Sequence, residues 1–421
     1  MKTSSSGISD PGRQRTENED AFLADQELQL YVVCDGMGGH LAGAEASQMA
    51  MRVVRSEVGK HASTIQKHIQ SPEVASRHQV SKVLEEAIAA ANVAIFSTAR
   101  EDPTKRGMGT TLELLLVAGR YAFVLHVGDS RIYLVRDRKI HQLTEDHSFV
   151  GEMVRNGLMT REEAAQSSHA HVITRAVGVQ ALVRPDVLQV ELMEEDVFLL
   201  CSDGLTDLLT DEDLLHHGTV QEIEPLPAEL IKVANARGGH DNITAVVVKI
   251  HGDAPTTEEF SALQKLAVLG RIPLFRDLSY PELTKVLSIA HVRTIEQNTT
   301  VFQEGTPGEE MLILLAGKMN ITKAGESVAY RGPGDSVGEM GLMGETTRCA
   351  SVIAVEPSTI LVFTKAQLFE LLRSDSGLAV KFLWMMCCVM NARLSEATDK
   401  LVEISVNLRE KPTELPFSII E

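Results

Sequence analysis

The sequence is poor in basic residues relative to acidic ones, and this deficit argues against one large class of function. It contains 40 lysines and arginines against 58 aspartates and glutamates, which gives a formal net charge of −18 at pH 7. Proteins that bind nucleic acid need basic faces for the phosphate backbone, so a role of that kind is not expected. The acidic excess either keeps the protein soluble or reflects carboxylates gathered round cations.

Cysteines, aromatic residues and long apolar runs are also scarce. The five cysteines lie in apolar runs and form neither a disulfide framework nor a zinc-binding spacing, which favours a reducing, cytosolic compartment. The N-terminal stretch MKTSSSGISD lacks the apolar core of a signal peptide. The apolar run 382–390 is far shorter than the roughly 20 residues that a membrane-spanning helix needs. We therefore expect a soluble, cytoplasmic protein that does not contact a membrane.

The length of 421 residues predicts two or three domains. We divide the chain into an N-terminal domain (1–250), a linker without periodicity (251–264), a C-terminal domain (265–405) and a loosely held tail (406–421). The apolar content of 44% is ample for both domains to bury a core.

The N-terminal domain combines strand pairs with separate helices. A hairpin is predicted at 20–34, and helices are predicted near 42–58 and 80–100 with a loop between them. Strands dominate from residue 109 onward, interrupted by a polar, helix-prone insert at 146–170. This segregation is typical of a layered α+β domain.

The C-terminal domain has a different pattern. A short helix at 281–290 is followed by many short strands separated by glycines, which is typical of a small barrel or jelly roll. A helical stretch is predicted from about 365 to 405.

Aspartates stand at the ends of several predicted strands. In the hairpin, positions whose numbers sum to about 55 should pair, which places Asp20 opposite Asp35, where two like charges repel. The same construction recurs at Asp129, Asp203 and Asp241. Taken singly, an aspartate before a glycine is usually a turn residue. The set of five within one domain favours a metal site instead.

A divalent cation would hold these carboxylates together. Ligands that are all oxygens, without cysteine or histidine, indicate magnesium or manganese. The bare backbone of DGMGG lets the Gly36 carbonyl approach an ion. Two ions roughly 3.5–4 Å apart can bridge a water and lower its pKa. Arg15, just upstream, is suited to clamping a phosphate with its planar guanidinium.

Eight motifs in order resemble the metal-dependent serine/threonine protein phosphatases of type 2C in their bacterial form. They are RTENEDAF, VVCDGMGGHLAG, GTT, HVGDSRIYL, LTEDHS, ITRAVG, FLLCSDGLTDLL and DNITAVVV, and they span roughly residues 7–250. The resemblance implies an α-β-β-α sandwich, in which two antiparallel sheets are flanked by helices.

The resemblance also implies roles for individual residues. Asp35 would bridge two metal ions, with the Gly36 carbonyl as a further ligand. Asp203 and Asp241 would complete the set. The family's acidic pair near the first metals corresponds to Glu19 and Asp20, of which Asp20 would act through a bound water. In bacterial members a third, weaker ion is held by Asp203 and the position of Asp129.

Two features of the resemblance concern the surroundings of this centre. The histidine that follows Asp-Gly in animal members is Met37 here, so no general acid can be assigned at that position. His40 is nearby, but an exposed loop histidine is its commoner role. The insert 146–170 corresponds to the family's mobile flap, which would select substrates.

A second group of residues, at 332–352, predicts an anion pocket. Gly338, Glu339 and Met340 form a short helix start, and Arg348 precedes an apolar strand. Helix N-terminal amides and one arginine together bind anions. The alternative is an ordinary salt bridge from Arg348 to Glu339 or Glu345.

This run resembles the phosphate-binding cassette of cyclic-nucleotide-binding domains, over roughly residues 265–400. The likeness implies that Glu339 accepts the ribose hydroxyl and that Arg348 pairs with the cyclic phosphate. Ser351 is a candidate for the base or phosphate edge, and Cys349 lies where base preference is often set. The family's usual proline is Thr347 here, and the choice between cAMP and cGMP stays open.

The combined prediction is a phosphoserine/phosphothreonine protein phosphatase whose activity is regulated by a cyclic nucleotide. Its substrates would be phosphoproteins, including targets of a serine/threonine kinase. Nucleotide binding would reposition the helices at 365–405 and act through the linker at 251–264. Two alternatives stay open, namely an inactive scaffold and a phosphatase whose barrel serves only for dimerisation. The apolar stretch 382–394 would allow a homodimer through the C-terminal helices, or it could equally pack on its own barrel.

Overall fold

The computed structural model describes residues 1–410 except 39–40, 156, 161–162, 165–166, 170–171, 219–221, 253–259 and 343–346. Two compact units are present. The first comprises Met1–Gln264 and Tyr280–Ile289, and the second comprises Lys265–Ser279 and the chain from Ala290 onward. The helix that the sequence assigns to the C-terminal domain therefore belongs to the first unit. Half of the predicted linker, residues 253–259, lies outside the described residues.

Twelve strands are found among the described residues of the first unit. They are β1 (Lys2–Asp10), β2 (Ala21–Asp25), β3 (Leu30–Cys34), β4 (Gly36–Met37), β5 (Gly109–Thr110), β6 (Leu112–Ala118), β7 (Tyr121–Val127), β8 (Arg131–Arg136), β9 (Lys139–Gln142), β10 (Asp186–Glu191), β11 (Val197–Cys201) and β12 (Ile243–His251). One sheet has the order β1-β12-β11-β8-β9 and the other the order β10-β7-β6-β3-β2. All the pairings are antiparallel.

The first unit also contains helices between residues 41 and 236. They are α1 (Leu41–Lys60), α2 (Ala62–Gln70), α3 (Val74–Glu101), α4 (Phe149–Arg155), α5 (Asp203–Thr206), α6 (Asp211–Gly218) and α7 (Leu226–Ala236). One apolar core lies between the sheets, and each sheet packs a further core against its own helices. The predicted α-β-β-α sandwich is confirmed.

One local prediction in this unit is wrong, and one strand was not predicted. The segment between the first two predicted helices contains α2 and is not a loop, because Ile65 and His68 give it a buried face. The polar N-terminal stretch forms β1, an edge strand that was not predicted. Its sequence, KTSSSGISD, shows no alternation of apolar and polar side chains, and most of its residues are half-buried.

The second unit begins with α8 (Ala262–Leu269), of which the last five residues belong to it, and consists mainly of short strands. These are β13 (His291–Ile295), β14 (Thr300–Phe302), β15 (Glu310–Ala316), β16 (Met319–Lys323), β17 (Glu326–Arg331), β18 (Ser336–Val337), β19 (Ser351–Ala354) and β20 (Ser358–Thr364). They form two four-stranded sheets, β13-β20-β15-β18 and β14-β19-β16-β17. Between them lies an apolar core that includes Phe302, Leu314 and Ile360.

The remaining helices are α9 (Tyr280–Ser288), which belongs to the first unit, and α10 (Lys365–Ser374) and α11 (Ser376–Glu410) of the second. Helix α11 continues past residue 405, where the sequence analysis began the tail. Among the described residues, we find no helix that is both long and apolar enough to cross a bilayer.

Candidate functional site

The predicted aspartates converge where the strands of the two sheets end. The β2–β3 register pairs Ala21 with Cys34, so the next pair of positions is Asp20 and Asp35, as predicted. In the other sheet, Asp203 lies just after β11 and Asp241 just before β12, and these two strands are neighbours. Each sheet thus contributes two carboxylates to the same end of the sandwich.

Hydroxyl groups join the two sheets at this point. The Ser202 and Thr244 hydroxyls both donate to Asp20 Oδ2, at 2.8 and 2.6 Å. Both donors belong to the sheet that does not contain Asp20. Asp20 is therefore held in one orientation by the strand ends of the opposite sheet.

The crowding of carboxylates raises their proton affinity. Burial raises the pKa of Asp20 to about 7, and the charges of Asp203 and Asp241 act in the same direction against the Thr244 and Ser202 hydrogen bonds. The pKa of Asp35 is raised well above its usual value by burial and then by Asp20, Asp203 and Asp129. These groups repel one another as anions, so positive charge would stabilise them.

The donor set fits divalent cations. Two buried oxygens, Asp20 Oδ1 and Asp129 Oδ1, have no hydrogen-bond partner among the described residues. A Cβ atom added to Gly36 would lie 2.2 Å from the Gly43 carbonyl oxygen, so only glycine fits beside Asp35. The oxygen ligands are those that magnesium and manganese prefer.

The carboxylates are not already arranged as a coordination shell. Within the described ranges, no three His, Cys, Asp or Glu side chains are placed to hold one ion. Asp241 instead pairs with Arg15 at 2.8 Å, and the Asp35 and Asp203 carboxyl groups hydrogen-bond to each other. Binding of cations would have to replace both contacts. Arg15 is about half exposed, which leaves its guanidinium accessible from solvent.

Other polar residues orient this centre and were missed by the sequence analysis. The Thr111 hydroxyl accepts from the Asp35 backbone amide at 2.9 Å, and Asn242 Oδ1 accepts from the Glu19 amide at 2.9 Å. Both residues lie inside the quoted motifs, as do Ser202 and Thr244. The available signal was a hydroxyl or amide at the end of an otherwise apolar strand.

Of the other predicted residues, Glu19 is half-buried and its carbonyl accepts from the Gly36 amide at 3.2 Å. Asp129 is buried, and burial followed by the charge of Asp203 raises its pKa well above the usual value. His40 lies outside the described residues. Met37 forms the end of β4, which pairs with β5.

The second pocket lies in the C-terminal unit and centres on Arg348. This side chain is 9% exposed, and its guanidinium carbon lies 3.5 Å from the centroid of the Phe302 ring. Its Nη1 is 3.5 Å from the Gly338 carbonyl, and a Cβ added to Gly308 would come within 2.8 Å of its Nε. Burial lowers the pKa of Arg348. A buried guanidinium beside glycine backbone suits an anion.

The structure brings only some of the predicted nucleotide contacts to this point. Gly338 adopts φ = 87°, and Glu339, only 4% exposed, begins the short 3₁₀ turn that also contains Met340. Cys349 is exposed. The Ser351 hydroxyl accepts from the Glu304 amide at 2.9 Å, so this hydroxyl already has a partner within the barrel. Glu345, the alternative ion-pair partner of Arg348, lies outside the described residues.

Comparisons with known proteins find one family match in each of the two units. Residues 12–245 match the protein phosphatase 2C family, and residues 292–375 match the cyclic nucleotide-binding domain. A serine/threonine phosphatase of Listeria welshimeri is 35% identical over 246 residues, which is 57% of this chain and 93% of that protein.

Solved structures are similar over the first unit. The crystal structure of the Mycobacterium tuberculosis serine/threonine phosphatase PstP is 34% identical with a TM-score of 0.53, covering 60% of this chain and all of that one. A structure of the PstP catalytic domain in complex with two manganese ions has a TM-score of 0.51 at 34% identity, covering 59% of this chain and 99% of that one.

The Thr244 hydroxyl, one of the two that join the sheets, should control metal affinity. Replacing Thr244→Val removes the donor 2.6 Å from Asp20 Oδ2 at nearly constant volume. We expect Mn²⁺ affinity, measured by titration calorimetry, to fall about 10- to 100-fold, as is typical when a partner of a metal ligand is lost. Thr244→Ser should restore the affinity, since it keeps the hydroxyl. Equal affinity in the valine variant would contradict this role.

Proposed function

This chain belongs to the protein phosphatase 2C family and is a protein-serine/threonine phosphatase, and we propose that a cyclic nucleotide bound in its C-terminal barrel regulates that activity. Phosphoproteins are the substrates, and in this proposal they include the targets of a serine/threonine kinase. A cytoplasmic location, predicted from the cysteines, stays a prediction.

The convergence of carboxylates from both sheets supports metal-dependent hydrolysis. Asp35, Asp203 and Asp241, with the Gly36 carbonyl, would hold two Mn²⁺ or Mg²⁺ ions, and Glu19 and Asp20 would lie beside them. Asp129 would hold a third ion together with Asp203. Bound there, the ions would supply an activated water and neutralise charge on the phosphoryl group.

The protein's own groups have separate tasks in this reaction. Asp20, fixed by two hydroxyls, is positioned to orient water through its free Oδ1. Arg15 can exchange its exposed contact with Asp241 for a phosphate, which a planar guanidinium binds through two parallel hydrogen bonds. Hydrolysis then requires water to attack phosphorus, the serine or threonine oxygen to leave, and that oxygen to gain a proton.

A metal-dependent phosphatase and an inactive scaffold differ in the effect that they predict for a substitution of Asp203. We expect Asp203→Asn to lower kcat toward a phosphopeptide by at least about 100-fold, because a neutral amide neither balances cation charge nor repels Asp35 as an anion. The measurement is phosphate release in saturating Mn²⁺, with Asp213→Asn, a surface aspartate paired with Arg237, as the control. Retained turnover in Asp203→Asn would contradict the metal role.

The regulatory part of the proposal is supported by the second pocket. Arg348 is buried beside two glycines that leave room for it, and its charge is offset there by the face of Phe302. An arginine held in this way is available to an incoming cyclic phosphate. By the family resemblance, Glu339 would accept the ribose hydroxyl.

Nucleotide binding should depend on Arg348. At about 100 times its dissociation constant, cAMP or cGMP should stabilise the barrel by about 2.7 kcal/mol and raise its Tm by roughly 5–10 °C. Arg348→Gln should abolish this rise, measured by scanning calorimetry of the full chain. Arg331→Gln, on strand β17 of the same barrel, is the matched control. A shift that persists in Arg348→Gln would contradict the assigned contact.

Helix α11 has a buried apolar face and, among the described residues, a second apolar face that is largely exposed. Its buried face includes Phe382, which lies 6.2 Å from Phe275, measured between ring centroids. On the other side, apolar residues from Val380 to Leu394 recur with the alternating spacing of three and four that two-stranded coiled coils require. Leu401 follows one heptad later, and most of these residues are exposed. These residues are Val380, Leu383, Cys387, Met390, Leu394 and Leu401.

We propose that a second copy of the chain pairs with this face in a parallel, in-register coiled coil. The two copies of Cys387 would then lie opposite each other, whereas Cys388 would point away. Mild oxidation should cross-link Cys388→Ser but not Cys387→Ser, as seen on non-reducing gels. Light scattering that gives a monomer mass at micromolar concentration would exclude the dimer.

A further inference from the structure

Helix α9 occupies an unusual place in the chain. It belongs to the first unit, although the residues before it (265–279) and after it (from 290) belong to the second. Pro281 at the start of the helix favours this beginning, since a missing amide costs nothing in the first turn. The helix is therefore a part of the phosphatase unit that the barrel segments hold at both ends.

The first residue of α9 is inserted between the edge strands of the sandwich. The Tyr280 ring stacks on His141 of β9, with centroids 3.8 Å apart and planes 17° from parallel. It also packs against the apolar core between the two sheets. Burial and the charge of Arg136 lower the pKa of His141 to about 4, so the stacked imidazole is neutral at pH 7.

A buried ion pair fixes the tyrosine hydroxyl. Arg136 Nη1 donates to Tyr280 Oη at 2.9 Å, and the same guanidinium makes a bidentate pair with Asp196. Arg136 Nη2 also donates to the carbonyl of Glu191 at the end of β10, at 2.8 Å. Both charged side chains are buried, at 4% and 1% exposure. One arginine thus connects α9 to β8, β10 and the turn before β11.

Strands β9 and β10 flank the segment of chain that contains the insert at 146–170, which corresponds to the flap. At the end of β9, Gln142 Nε2 donates to Asp146 Oδ1 at 3.3 Å, and Arg131 makes a bidentate pair with the same carboxylate at 2.9 and 2.7 Å. Arg131 lies two residues after Asp129. At the start of β10, Asp186 pairs at 2.6 Å with Arg175, which lies five residues after the insert.

We propose that α9, through Tyr280, transmits nucleotide-induced changes in the barrel to the flap and to the Asp129 side of the metal centre. This proposal rests on the nucleotide regulation proposed above and specifies its path. A pull on either end of α9 shifts the Tyr280 ring against His141 and the hydroxyl against Arg136. Strands β9 and β10, which flank the flap, would be displaced first, because His141 of β9 contacts Tyr280 and the Glu191 carbonyl of β10 accepts from Arg136. The competing route is the linker at 251–264.

The test compares two substitutions in the full-length protein. Tyr280→Phe removes only the hydroxyl bond to Arg136, and Tyr280→Leu removes the stack as well. Tyr330→Phe, an exposed tyrosine of the barrel, is the control. For each protein, nucleotide affinity is measured by calorimetry, and kcat toward a phosphopeptide is measured in Mn²⁺ with and without cAMP and cGMP.

We expect nucleotide affinity to be unchanged and the basal rate of Tyr280→Phe to stay within about twofold of the unmodified protein. The nucleotide-induced change in kcat should shrink by about 2- to 30-fold, the range expected when a coupling contact is lost. Amide exchange at residues 139–147 and 186–191 should respond to nucleotide in the unmodified protein and in Tyr330→Phe, but less in Tyr280→Leu.

The outcomes separate this route from the regulation itself. If the unmodified protein responds to nucleotide and both Tyr280 variants respond equally, the α9 route is overturned while regulation stands. If the unmodified protein binds nucleotide without any change in rate, regulation is refuted and the route with it.

Discussion

The mutual repulsion of buried carboxylates at one end of the sandwich is the constraint on which the function of this protein depends. Burial and like charge together raise the proton affinity of Asp20, Asp35 and Asp129. Without protons or cations, these groups would destabilise the fold that brings them together. The extensive apolar cores between the sheets and beneath the helices offset this cost, and bound cations would relieve the repulsion that remains.

The hydroxyls and amides round this centre explain how the repulsion is contained. Ser202 and Thr244 turn one oxygen of Asp20 toward the opposite sheet, which leaves the other oxygen directed elsewhere. Thr111 and Asn242 fix the backbone next to Asp35 and Glu19. Metal ligands need such partners, because a carboxylate free to rotate binds a cation less tightly.

The barrel uses the opposite charge in a similar way. Arg348 is a buried cation that the ring of Phe302 and the nearby Gly338 carbonyl accommodate, and a bound anion would neutralise its charge. Helix α9 links the two halves of the chain because it is part of one unit in space and lies between segments of the other in sequence. The buried Arg136–Asp196 pair makes its attachment specific, since a misplaced tyrosine would leave a buried donor without its partner.

Much of this could be predicted from local patterns. The hairpin register that opposes Asp20 and Asp35, the aspartates at strand ends and the glycine-separated strands of the barrel all follow from residue type and period. Edge strand β1 and helix α2 could not, because their polar sequences acquire burial only from distant neighbours.

Sequence alone determined which chemical groups are present and which strands carry them. Only the tertiary structure decided which of them meet. The hydroxyls that hold Asp20 lie 182 and 224 residues away in the chain, and Tyr280 lies 144 residues from Arg136. No local period encodes such contacts, because they exist only once two sheets have packed and fixed the positions of their ends.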